Sequence, residues 1–326
     1  MATTPAVTIL DVAARAGVHP ATVSRTISRP DRVAPGTRAR VEAVIDELGY
    51  VPNRAARGLI TGRTGNVAVI VPDITNPYFS SMVRAAEETA RGSDEQVILV
   101  DTGERPEVEE AAARSLAHQV DGFVVASSRR LHRSLDALGG KPTVFVNRPV
   151  QGHPSVLLRT ADAVRDGLAH LVGLGHVRLG YVGGPSRSWA AGERRTAVRG
   201  AARQLGVEVS ELGIGEPTFD AGRDFAGSIA ASGVTAVMTF NDQMALGVLR
   251  GLLDLGVDVP DRIGILGCDD VPMAAMVSPP LTTIHVPTTE AGRVAVEMLR
   301  RADGSTVETV ELQAHLVVRG SAVALA

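Results

Sequence analysis

From Asn66 onward the chain alternates short, uninterrupted apolar runs with helical stretches, and this alternation limits the possible folds more than any other feature. The runs are VAVIV (67–71), QVILV (96–100), GFVVA (122–126), TVFV (143–146), RLGYV (178–182), TAVMTF (235–240) and IGILGC (263–268). A strand that is apolar on both faces has to be covered on both faces, and parallel strands joined by helical crossovers achieve this. The span 66–326 is 261 residues, long for one doubly wound sheet, so the pattern predicts two sheets with a cleft between them.

The first 64 residues read differently. Ile9, Val12, Ala13 and Ala16 form a helical apolar stripe closed by Gly17, Pro20 suits the first position of a second helix over 20–27, and a third runs from about Pro35 to Leu48 with Gly49 at its end. Arg54–Ile60 is too short to be a stable helix alone, and Thr61–Gly65 has the composition of a linker. This head holds nine arginines against five acids, a surplus of four, which leaves the rest of the chain at −7 within a net charge of −3. A basic head on an acidic body predicts a local contact with a polyanion.

Other readings narrow the class. The lone Cys268 excludes an intrachain disulfide and a multi-cysteine zinc site. No apolar stretch approaches the ~18 residues of a membrane span, and the N-terminus lacks the basic start of a secretory signal. A cytoplasmic protein with no membrane partner is the expectation.

Ala13, Gly17 and Val23 have the spacing of a helix-turn-helix: a small residue where two helices cross, a glycine for the turn, and a β-branched plug for the core. Taken alone, the same spacing also fits an ordinary helical hairpin. Its neighbours extend the match. TILDVAARAGVHPATVSRTIS and TRARVEAVIDELGYVPNRAARGL, followed in order by VPDITNPYFSSMV, QVDGFVV, LGHVRLGYVGGP, FNDQMALGVL and PPLTTIHVP, resemble the lactose-repressor (LacI/GalR) family of transcriptional regulators across nearly the whole chain.

The resemblance implies an α/β protein: a small all-α helix-turn-helix head plus a periplasmic-binding-protein-like core of two doubly wound parallel-sheet subdomains. The expected division is 1–50 for the DNA-binding domain, 51–64 for a hinge helix and linker, and 65–326 for an effector-binding and dimerisation core. Within that core, about 65–160 plus 287–326 would form one subdomain and 161–286 the other. The partners implied are double-stranded operator DNA carrying an inverted repeat, a second copy of the chain, and a small effector, most often a sugar in this family. A nucleobase or another non-sugar metabolite is the alternative, and no cofactor or metal is expected. With no leucine heptads after HLVVRGSAVALA, a dimer is expected rather than a tetramer.

Residue by residue, the resemblance places Ala21, Ser24 and Arg25 on the outward face of the second helix, where an arginine fork can bond guanine N7 and O6 together. Thr8 and Thr22 fall at phosphate-contact positions. His19-Pro20 stands where many relatives have Ser-Pro, and because histidine is a weaker N-cap than serine, His19 is expected to touch phosphate or a base instead. Tyr50, Asn53, Ala56 and Leu59 match the hinge, whose leucine wedges into the minor groove; Gly58 costs about 1 kcal/mol of helix propensity there.

In the core, ligands of such folds sit at the carboxyl ends of parallel strands. The candidates are Tyr78, Phe79, Ser128, Arg148, Trp189, Arg194, Asn241 and Asp269. Each also has a structural alternative: Asp269 as a helix cap, Tyr78 and Phe79 as core, Arg194 paired with an acid such as Glu193. Pro217 stands where relatives often stack an aromatic, and Arg159-Thr160 replaces a common Asp-Asn pair. Enzyme readings find little support. No nucleophile elbow, P-loop, H-E-x-x-H or strand-linked G-x-G-x-x-G occurs, and the eight histidines are scattered without ligand spacing.

Overall fold

The computed structural model describes residues 7–50, 62–302 and 307–325. The chain forms two compact units, Met1–Thr64 and Gly65–Ala326. The hinge candidates Asn53, Ala56 and Leu59, with Gly58, lie outside the described residues.

In the head, α1 (Ile9–Ala16), α2 (Pro20–Ser28) and α3 (Pro35–Leu48) surround a core of Val12, Ala13, Ala16, Val23, Val41 and Val44. Gly17 ends α1 in the left-handed conformation at φ 65°. That angle lets the next N–H, of Val18, reach back to the Ala13 carbonyl at 3.0 Å. Ala13 and Val23 are both buried, as the helix-turn-helix spacing requires.

The larger unit contains two parallel sheets. The first has six strands: β1 (Asn66–Val71), β2 (Gln96–Asp101), β3 (Gly122–Ala126), β4 (Thr143–Val146), β5 (Ser155–Arg159) and β11 (Thr309–Gln313), in the order β11-β5-β4-β3-β1-β2. The second has four: β6 (Arg178–Gly183), β7 (Glu208–Ile214), β8 (Ala236–Thr239) and β9 (Gly264–Leu266), in the order β7-β6-β8-β9. A two-stranded antiparallel ribbon pairs β10 (Thr283–His285) with β12 (His315–Val317). Strand alternation sorts the first sheet's side chains by face. Val67, Val69 and Val71 pack with Met82, Ala86 and Ala295 from the helices α4 (Pro77–Arg91) and α12 (Thr288–Arg301), whereas Ala68, Ile70 and Phe123 join Ala113 and Leu138 on the opposite side. Among the described residues no helix is long and apolar enough to cross a membrane.

The C-terminal stretch assigned above to the first subdomain divides. β11 adds to the first sheet, but the chain after Ala314 returns to the second. Ser321 receives the Thr282 N–H (2.8 Å) and donates to the Ile265 carbonyl (2.6 Å), and the Leu325 N–H reaches the Leu174 carbonyl at 2.9 Å. The reason is that β9 and the segment after it leave backbone groups that only a returning strand can satisfy. His176, buried in the turn before β6, holds the Val323 carbonyl at 3.0 Å.

Beyond β6 come α7 (Trp189–Leu205), the short α8 (Phe219–Asp224), and α10 (Asp242–Asp254), which packs on α8; α9 (Ala226–Ala231) lies between them in sequence. α8 and α10 approach so closely that a Cβ on Gly247 would lie 2.0 Å from the Phe219 carbonyl oxygen, and one on Gly222 would lie 2.2 Å from that of Met244. Gly247→Ala is therefore expected to lower stability by about 1–3 kcal/mol through overpacking, read as a reduced urea midpoint. An unchanged midpoint would mean the two helices slide apart freely.

Candidate functional site

On the head, Thr8 is the N-cap of α1. Its hydroxyl accepts from the Asp11 N–H (3.4 Å) while its own backbone N–H donates to the Asp11 carboxylate (2.8 Å), a reciprocal capping box. His19 corrects the expectation from sequence. Its Nδ1 accepts the Ala21 N–H at 3.2 Å and caps α2, so the ring performs the serine's task because its nitrogen has the same reach as a hydroxyl oxygen. Pro20 fills the first helical position, where no N–H is needed. Ala21 and Arg25 are exposed, Thr22 and Ser24 half-exposed, and Val23 and Thr26 between them are buried. Arg25 has no ion-pair partner among the described residues, so its guanidinium is uncommitted. Tyr50 packs against the head's core rather than standing free.

In the core, one cleft gathers the strand ends of both sheets. Tyr78, Phe79, Glu104, Ser127 and Asn147 come from the first, and Arg194, Phe240, Asn241 and Asp269 from the second. Six described non-glycine residues have positive φ, and four of them, Glu104 (61°), Ser127 (47°), Asn147 (56°) and Asp269 (126°), line this cleft. Backbone strain concentrated at strand ends, where polar groups are aimed into one space, is a mark of a binding site.

At the centre stand a guanidinium and a carboxyl that do not pair. Arg194 is 4% exposed, lies over the Phe240 ring with 4.8 Å between guanidinium carbon and centroid, donates to the Phe240 carbonyl, and leaves its Nε without a partner. Asp269 lines the same cleft, and no ion pair within 4 Å joins the two. Burial pushes the Asp269 carboxyl well above the usual carboxylate range, and Arg194 only partly opposes this. Its neighbour Asp270 points the other way, to Arg319 (2.6 Å) and His285 (3.0 Å), so the two carboxyls are not an acid–base pair.

Other candidates have partners of their own. The Tyr78 hydroxyl accepts the Asn147 amide at 3.2 Å, and its ring meets Phe79 edge to face at 4.8 Å. Asn241 caps α10 through the Met244 N–H (3.0 Å) and donates to the Pro217 carbonyl (3.1 Å), although it lines the cleft. Ser128 requires a correction: its hydroxyl is turned to His132 (3.3 Å to Nδ1) and away from the cleft, which Ser127 lines instead. The left-handed backbone at Ser127, φ 47°, turns that residue into the cleft and carries Ser128 toward His132. Arg148 lines a neighbouring cavity rather than this cleft, whereas Trp189 lines both that cavity and a small recess that it shares with Tyr78, Asn147 and Arg194. Glu104 and Arg129 were missed; they form a bidentate pair (2.7 and 2.9 Å) at the cleft's edge. Nothing in sequence links residues 25 positions apart. Among the described residues no cluster of His, Cys, Asp or Glu could hold a metal ion.

Cys268, just before Asp269, is wholly buried, and burial pushes its thiol up. Iodoacetamide is expected to leave it unmodified in the native protein and to label it fully in denaturant. Labelling at the rate of a free thiol in native buffer would show that the end of β9 opens.

Comparison with known proteins matches the two units separately. The model of the lacI family of bacterial regulatory proteins matches residues 8–53, and that of a periplasmic binding protein-like domain matches residues 168–322. The chain is 34% identical to the HTH-type transcriptional regulator CelR of Thermobifida fusca over 95% of its length and 96% of that protein's. It is 31% identical to the HTH-type transcriptional regulator GalS of Salmonella typhimurium over 93% and 92%. Among solved structures, a lac repressor dimer bound to operator and the anti-inducer ONPF superposes with a TM-score of 0.87 at 28% identity, covering 99% of this chain and all of that one. A CelR–cellobiose complex gives 0.72 at 32% identity, covering 97% and 99%. A helix-turn-helix head, a parallel two-sheet core whose strand ends meet in a polar cleft, and full-length similarity to regulators of this organisation fix the assignment: the chain belongs to the lacI family of bacterial regulatory proteins, a DNA-binding transcriptional regulator with an effector-binding core and not an enzyme.

Proposed function

We propose that the protein is a homodimeric repressor of a carbohydrate-utilisation operon, released from or held on its operator by a small polyhydroxylated effector in the strand-end cleft. The observation that carries this reading is the separated Arg194–Asp269 pair. A buried guanidinium and a half-buried carboxyl with no ion pair between them leave a space that ligand hydroxyls can bridge, donating to the Asp269 oxygens and accepting from the Arg194 Nε–H that has no partner. The CelR–cellobiose complex is a relative with a sugar bound, and the lac repressor dimer is one on operator DNA.

The head carries the DNA contacts, with Ala21, Ser24 and Arg25 toward base edges and Thr22 toward phosphate. Acting on chromosomal DNA places the protein in the cytoplasm. Effector binding changes the angle between the two sheets and moves the paired hinges, a population shift that requires the ligand to prefer one state.

A thermal-shift screen of mono- and disaccharides against the full chain, followed by operator release in a mobility-shift assay, tests the reading. A saturable hit that changes operator affinity is expected. A hit that is chemically consumed would overturn it. Light scattering is expected to show a dimer at micromolar concentration, and a predominant monomer or tetramer would overturn that part.

A further inference from the structure

Beside the strand-end cleft lies a larger cavity of about 640 Å³, and its walls carry Arg129, Arg130, Arg133, Arg148 and Arg187 with no acidic side chain among its lining residues. In a core of net charge −7, this is a local reversal of sign. Two of the five are neutralised, Arg129 by Glu104 (2.7 Å) and Arg130 by Glu110 (2.6 Å). Arg133, Arg148 and Arg187 have no carboxylate partner among the described residues, and Arg148 donates to the Ser128 carbonyl at 3.2 Å. Burial, then Arg133 and Arg129, disfavour the charge on Arg148. Burial, then Arg148 and Arg133, hold His132 down to about 4, so it is neutral at pH 7, and its Nε2 is buried without a partner.

Two helix N-termini add to this field. Pro106, the first residue of the 11-residue helix α5 (Pro106–Leu116), and Trp189, the first of the 17-residue α7, both line the cavity, and helix starts favour anions. The arginines outnumber the carboxylates Glu104, Glu109 and Glu110 behind them, and a bound anion relieves the repulsion that remains. The strand-end cleft itself has room for about 30 Å³, enough for roughly two waters and too little for a sugar ring. Arg129 and Ser188 line both spaces, so one ligand can occupy the cavity and reach into the cleft.

Resting on the reading of the core as an effector sensor, we propose that the effector is a phosphorylated sugar whose phosphate is held by Arg133, Arg148 and Arg187 while its hydroxyls reach toward Arg194 and Asp269. Three guanidiniums without a bonded carboxylate, one of which, Arg148, is influenced by a nearby acid, Glu109, suit a phosphate dianion better than a carboxylate, and forked N–H donors match its oxygens in pairs.

The test is calorimetry on the full chain with inorganic pyrophosphate, glucose 6-phosphate, fructose 6-phosphate, glucuronate, glucose and cellobiose. Pyrophosphate and a sugar phosphate are expected to bind saturably and to weaken with salt. Arg133→Ala and Arg187→Ala, both at exposed and unpaired positions that folding does not need, should each raise Kd by about 10- to 100-fold, with Arg187→Lys recovering part. Pyrophosphate that does not bind, or binds the variants as well as the parent, overturns the proposal. So does glucuronate as the only charged compound bound. A neutral sugar that binds and is lost in Asp269→Ala would also overturn it, while leaving the sensor reading in place. A sugar phosphate indifferent to Asp269→Ala but lost in Arg187→Ala would uphold the anion site and overturn the assignment of the cleft.

Discussion

Asp269→Asn should abolish the effector's thermal shift and yet leave the effector-free protein as stable as the parent or more so at neutral pH. The two halves of this result have one cause. In the folded chain the Asp269 carboxyl holds its proton well above the ordinary 3.8, because burial penalises the charge more than Arg194 favours it. In the unfolded chain it releases that proton near 3.8. Between these values the folded state binds more protons, so stability is fully present below the unfolded value and is lost as pH rises through the folded one. An amide of the same shape cannot ionise, so this loss disappears. The carboxylate is therefore retained against a stability cost, as expected of a group kept for binding. Losing a charged hydrogen-bond partner costs about 1.5–3 kcal/mol per ligand bond, or about a 10- to 150-fold rise in Kd. Because ligand hydroxyls favour the ionised form, effector binding should release protons and tighten as pH rises toward neutral. A melting curve with the acid-side slope unchanged in Asp269→Asn, or a retained ligand shift, would show that Asp269 is structural and assign the cleft's recognition to other groups.

How far this site was legible in sequence follows from strand geometry. Strands buried on both faces, such as β1, β3 and β8, announce themselves as unbroken apolar runs. β7 and β11 did not, because they are half-exposed edge strands whose Glu208, Glu211 and Glu311 break the run; β5 is buried but follows β4 without a helix between them, so the alternation gave no cue. Ser128 and Arg148 were visible as strand-end candidates, but whether each of them or the residue before it faces the cleft depends on the backbone at the turn. The left-handed backbone at Ser127 and Asn147 sets this in ways no composition reveals. Asp269 was visible as a strand-end residue, and the family resemblance singled it out together with Arg194. The arginine cavity was hidden for another reason: arginine is the chain's general base, with Lys141 the lone lysine, so clustering emerges only when residues 129–148 and 187 are brought together in space.

Arg25→Ala should weaken operator binding by about 2–6 kcal/mol in a dimer, since each half-site loses one bidentate guanine contact worth about 1–3 kcal/mol, a factor of about 30 to 10⁴. Arg25 projects from the exposed face of α2, while Val23 and Thr26 on its buried face hold the helix in place. The substitution therefore removes a contact without opening the core, and thermal stability should move by no more than about 0.5 kcal/mol. The size of the loss alone would not separate base reading from phosphate contact, but its dependence on sequence and salt would. A base contact, once lost, leaves one position in each half-site indifferent to its base pair and the salt slope unchanged. A phosphate contact lowers affinity equally for all sequences and reduces the slope by about one per site. Arg25→Lys should behave like the alanine variant at that position, because an ammonium lacks the planar fork that grips N7 and O6 together. Selection of random duplexes with parent and variant checks this directly. The parent should recover an inverted repeat, as two symmetry-related heads demand, and the variant the same repeat with one degenerate position on each arm. A direct repeat from the parent, or an unaltered motif from the variant, would refute the assignment of Arg25 as the base-reading residue of α2.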